Sequence, residues 1–64
     1  MREHKTLIDE ASSTITYIGK ADAGSLSSDP VWQVFRITDT GKLFANGTDE
    51  FTNVWDNRAG YSYS

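Results

Sequence analysis

The stretch VWQVFRIT, residues 31–38, constrains the fold of this chain more than any other segment. Extended, it puts Val31, Gln33, Phe35 and Ile37 on one face and Trp32, Val34, Arg36 and Thr38 on the other. Side chains alternate along a strand, and here both faces are largely apolar, as in a strand covered on two sides. Residues 31–38 are therefore expected to form the central strand and to organise the core. Pro30 just before them has no N–H, so it can open such a strand but cannot sit inside it.

A chain of 64 residues has room for one core of this kind, so residues 1–64 are expected to be a single domain. Chains of this size bury only about 60% of the surface that unfolding exposes, and they usually need a disulfide, a metal or a partner subunit as well. With no cysteine there are no disulfides and no thiolate metal site, and a single histidine (His4) rules out a multi-histidine site. A compact unaided core remains, or burial shared between copies, and oligomerisation is the expectation.

The rest of the chain reads mainly as β structure. Residues 13–21, STITYIGKA, alternate strongly: Ile15, Tyr17 and Ala21 share one face with Gly19 between the last two, and Thr14, Thr16, Ile18 and Lys20 take the other. A shorter strand centred on Thr6, Leu7 and Ile8 precedes it, with a turn at Ala11-Ser12. Residues 22–30 form a Gly-, Ser- and Asp-rich loop. Asp39 to Gly41 turn the chain into a short strand over residues 42–45, and Asn46-Gly47 turn it again. The period then changes: Phe51, Val54, Trp55 and Arg58 recur at i, i+3, i+4 and i+7, predicting one short helix near residues 49–58. Thr48 could cap it, Asp49 and Glu50 would complement its dipole, and Gly60 could end it. Residues 61–64, YSYS, could add a last strand with Tyr61 and Tyr63 on one face. The expected fold is thus a compact antiparallel β domain with one short helix. Its core is expected to hold Ile15, Ile18, Trp32, Val34, Phe35, Ile37, Phe51, Val54 and Trp55.

Several kinds of chemistry can be tested against the residues. The twelve residues 39–50 begin with Asp and end with Glu like a calcium loop, but Gly41, Leu43 and Phe44 stand where oxygen ligands and the turn glycine belong. Asn46-Gly47-Thr48 has the form of a glycosylation sequon, yet it reads first as a turn. A catalytic triad would have to use His4, near the chain end, where order is least expected. No catalytic residue, cofactor or metal site is assigned, and a non-enzymatic protein is expected. Six basic against nine acidic residues, spread over both halves, leave no basic patch for nucleic acid. No apolar run is long enough to span a membrane, and the charged start MREHKTLIDE lacks the apolar stretch of a secretory signal. The expectation is a soluble domain made inside the cell.

The aromatic residues remain. Trp32 and Trp55 read as core. Tyr61 and Tyr63, in the final segment NVWDNRAGYSYS, could be core edge or docking surface. Together with Arg58 and Tyr17 they are the candidate partner-contact residues. Arg36 and Arg58 are expected in ion pairs or stacked on rings.

The pieces TYIGKADAG, DPVWQVFRIT and FTNVWDNRAGYSYS resemble short, largely uncharacterised proteins of tailed bacteriophages. The likeness covers residues 14–64, and Val34 and Phe35 stand where that group more often has Ile and Lys. It implies a small virion or phage-assembly protein made in the host cytoplasm, and it supplies no active-site residues. The resulting expectation is a structural or interaction protein of the particle (capsid-, neck- or tail-associated), oligomeric, with itself or other virion proteins as partners. Two alternatives stand beside it: a carbohydrate-binding module that recognises host glycan, and a small regulator or inhibitor of a host enzyme.

Overall fold

The structure is a computed structural model and describes residues 3–64. Among the described residues the elements are β1 (His4–Glu10), β2 (Thr16–Asp22), β3 (Pro30–Thr38), β4 (Gly41–Phe44), β5 (Asn53–Val54) and a 3-10 helix over Trp55–Gly60. The first four strands form an antiparallel meander in the order β1-β2-β3-β4, and β5 runs antiparallel to the start of β3. β3 pairs with β2 along one edge and with β4 and then β5 along the other, so it is the central strand expected. It is covered on one face and not on two, however: Val31 and Ile37 on the other stay exposed. Pro30 is its first residue.

The turns follow from local chemistry. Asn46 and Gly47 both adopt positive φ (56° and 69°), and Thr48 N donates to Ala45 O at 3.3 Å, so the Asn-Gly pair reverses the chain as expected. Thr48 Oγ1 accepts from Glu50 N at 3.2 Å in a local turn, so it caps no helix.

The short helix is present but starts later than the periodicity predicts, and residues 49–52 are irregular. The backbone of Asn53 and Val54 is taken up by the edge of β3, and Val54 N donates to Tyr61 Oη at 2.8 Å. Only from Trp55 onward is the chain free to coil. With three residues per turn, a 3-10 helix stacks Arg58 directly over Trp55, and the guanidinium carbon lies 4.6 Å from the ring centroid.

Register defines the two faces of the sheet. The inner face carries Leu7, Gly19 and Val34 in one row, and Asp9, Tyr17, Arg36 and Leu43 in the next. Tyr17, Ala21, Trp32, Val34, Ala45 and Trp55 form the buried cluster, with Leu7, Ile15, Tyr61 and Tyr63 packed against it. Gly19 is where the covering layer comes nearest: a Cβ there would meet Trp55 Cε3 and Cζ3, the latter at 2.8 Å, and Trp32 Cε3 at 3.2 Å. The two indoles, 6.2 Å apart between centroids, sit on the strand through this gap.

Trp32, Val34, Phe35 and Trp55 are buried as expected, and Ile15, Ile18 and Val54 are partly buried. Two core expectations need correction. Ile37 is 40% exposed because it lies on the outer face, where no element of the described chain covers it. Phe51 is 48% exposed because it precedes β5 in the irregular segment instead of occupying a helix face.

Candidate functional site

Tyr17, Arg58, Tyr61 and Tyr63 come together on the inner face, where they close the molecule on itself. Tyr17 is buried in β2, and its ring lies 5.7 Å from that of Tyr63. The final residues run antiparallel to the end of β4: Asn46 N donates to Ser62 O, and Ser64 and Phe44 exchange both backbone hydrogen bonds. This pairing carries Tyr63 back over the sheet, where its hydroxyl donates to Arg58 O and Arg36 stacks on its ring at 4.7 Å. Burial, and then the neighbouring Tyr17, push the Tyr63 hydroxyl up to about 12.

Arg58 ties distant segments together. Its Nε donates to Asp9 Oδ2 at 2.9 Å, its Nη1 donates to Trp55 O at 3.2 Å, and its guanidinium covers the Trp55 ring. β1 and the 3-10 helix thus meet at the Arg58 side chain, and the terminal segment joins them at the Arg58 carbonyl. Arg36 is held by stacking, as its place between apolar neighbours predicts. The hydroxyls of Tyr61 and Tyr63 and the guanidinium of Arg58 all have intramolecular partners, and each of the three side chains is half-buried.

The outer face is different. Ile8, Ile18, Phe35 and Phe44 stand directly opposite one another across β1 to β4 and form a continuous apolar row. A second row, Glu10, Thr16, Ile37 and Lys42, flanks it on one side, and Thr6, Lys20 and Gln33 on the other. Phe35 is buried here without a covering element. Lys42 Nζ lies 4.6 Å from its ring centroid and 5.0 Å from that of Phe44, while Lys20 Nζ lies 5.9 Å from Phe35. Lysine stems laid over a ring shield it while the ammonium stays in water. At one end of the face an open depression of about 360 Å³ is lined by His4, Asp22, Ser25, Val31 and Phe51.

This row was within reach of the sequence. The alternation of residues 13–21 and 31–38 already assigns Ile18 to one face and Phe35 with Ile37 to one face; only the pairing register was needed to align them. Among the described residues no group of three or more His, Asp or Glu side chains is placed to hold a metal. Trp32 and Trp55 are both buried, so neither indole offers a flat face to a sugar. No family model matches this chain, and no curated protein and no solved structure matches it either.

Proposed function

We propose that this chain is a non-enzymatic structural or interaction protein of a tailed-phage particle, and that it works through the outer face of its sheet. The observation that carries the reading is the asymmetry of the two faces: one is closed by the chain's own end, while the other leaves Ile8, Val31, Ile37 and Phe51 exposed. Apolar side chains gathered on one side of a small domain mark a surface that meets another protein. Assignment to a phage particle rests on the resemblance of residues 14–64. The glycan reading gains nothing from the two buried indoles.

The test is mass spectrometry of purified particles, comparing the native chain with an Ile18→Asp variant whose fold is checked by tryptophan fluorescence. The native chain should accompany the particles, and the folded variant should be depleted from them. A native chain absent from particles would remove the reading.

A further inference from the structure

We infer that the occupant of the outer face is a second copy of this chain, packed face to face about a twofold axis parallel to the strands. The inference rests on the reading of the protein as an interaction domain and names its partner. The register supplies the argument. Rotation about an axis along the strands keeps each residue at its height but exchanges the two edges of the sheet. β1 then lies over β4 of the other copy, and β2 over β3.

Each row meets its own mirror order in this arrangement. Ile8 faces Phe44 and Ile18 faces Phe35, so the apolar row is covered along its whole length. In the flanking row Glu10 faces Lys42, and the twofold makes this pair twice. Lys20 faces the neutral Gln33. A twofold axis running across the strands through the apolar row would also stack apolar on apolar, with Ile8 over Ile8. It would place the Glu10 row over the Thr6, Lys20 and Gln33 row, however, and the Glu10–Lys42 pairing would be lost. Charge therefore selects the axis.

The lysine cover is suited to such docking. Lys42 shields Phe35 and Phe44 in the single chain. Swinging its ammonium toward the second copy's Glu10 uncovers Phe44 and leaves Phe35 with Lys20 alone, 5.9 Å from its ring centroid, as the other sheet arrives. Twisted sheets pack face to face about 10 Å apart with strands inclined by about 30°, a geometry open to this meander. Strands about 4.8 Å apart, rising about 3.3 Å per residue, give the face a footprint on the order of 400 Å². Standard interfaces bury about 800 Å² per partner, so the pairing belongs to the weak, concentration-dependent class.

Sedimentation equilibrium from micromolar to millimolar concentration tests the inference on the full chain. The native protein should show a reversible monomer–dimer equilibrium. Glu10→Lys and Lys42→Glu should each weaken it about tenfold, because each sets like charges opposite one another twice. The double variant Glu10→Lys with Lys42→Glu should return to within about twofold of native, since the pair is restored with its signs exchanged. Ile18→Asp should abolish the dimer, and Ile8→Asp at a 64% exposed position serves if that variant does not fold. Trp32 and Trp55 lie on the opposite face, so their fluorescence reports folding separately from pairing.

A dimer insensitive to the single charge changes, or one that the double exchange fails to rescue, would overturn the inference. So would a native chain that stays monomeric at millimolar concentration. A monomer that still accompanies purified particles would overturn the pairing while leaving the broader reading standing. A charge-sensitive dimer absent from particles would support the pairing while removing the particle assignment.

Discussion

The two faces of β3 are almost equally apolar, yet they end in opposite conditions. Trp32 and Val34 are fully enclosed, whereas Val31 and Ile37 are each 40% exposed. Hydrophobicity along the strand does not separate them. The difference comes from where the last residues go: Trp55, Arg58, Tyr61 and Tyr63 all return over the inner face. Among the described residues the outer face receives the stems of Lys20 and Lys42 and, at one end, the backbone of Asp49, whose carbonyl accepts from Gln33 Nε2 at 2.8 Å. The described residues thus cover one side of the sheet and leave Ile8, Val31 and Ile37 on the other side open.

The strongest way to break this contrast is to remove the cover. Deleting residues 61–64 takes away Tyr61 and Tyr63 and frees the β4 edge that pairs with Ser62 and Ser64. Net stability of a domain is only about 5–15 kcal/mol, and a chain this small sits at the lower end, so loss of the cooperative thermal transition is the expected outcome. A truncated chain that unfolds like the native one would mean that these tyrosines belong to a partner and not to the core.

Gly19 offers a finer cut at the same face. Gly19→Ala introduces a methyl group against both indoles, and the closer ring, Trp55, opens the 3-10 helix and cannot yield without moving it. Overpacking of this kind costs about 1–3 kcal/mol, which denaturant titration would register as a lower midpoint. Adding Trp55→Leu should make the alanine far less costly, because the contact it offends is gone.

Gly19 also shows what could be read in advance. Its position between Tyr17 and Ala21 on one strand face was plain, as were the strand alternation, the Asn-Gly turn and the opening role of Pro30. These depend on neighbours in the chain. The helix boundary was less legible, because Phe51, Val54, Trp55 and Arg58 satisfy a helical period whether or not residues 49–54 coil. Their fate is decided by β3, whose free edge claims Asn53 and Val54 from more than twenty residues away. Tyr17, Arg58, Tyr61 and Tyr63 were identifiable as a notable set, but their meeting on one face depends on the terminal segment pairing with β4.

Tyr63 makes that closure sensitive to alkali. Its hydroxyl is raised to about 12 in the folded chain, against about 10 for an unfolded tyrosine. Below pH 10 both states hold the proton, and the stabilisation is fully present. Between about 10 and 12 the unfolded chain releases its proton while the folded chain keeps it, so stability falls as pH rises. Spectrophotometric titration should find a tyrosine ionising near pH 12, and Tyr63→Phe should remove that step. At neutral pH the same variant leaves Arg58 O without its donor and should cost about 1 kcal/mol.

The smallest expected effect is the most diagnostic of the open face. An enclosed isoleucine cut to alanine loses about 2–5 kcal/mol, through lost transfer energy and the cavity left behind. Ile37→Ala should lose less than about 1 kcal/mol, because the side chain already meets water and no enclosed cavity forms. That small loss should hold in the dilute monomer. At concentrations where copies pair, the same variant should appear more costly, since Ile37 would then be covered by the second sheet. A stability difference between native and variant that grows with protein concentration would tie the exposed face to association. One that stays constant from micromolar to millimolar would place Ile37 at a surface that only water touches.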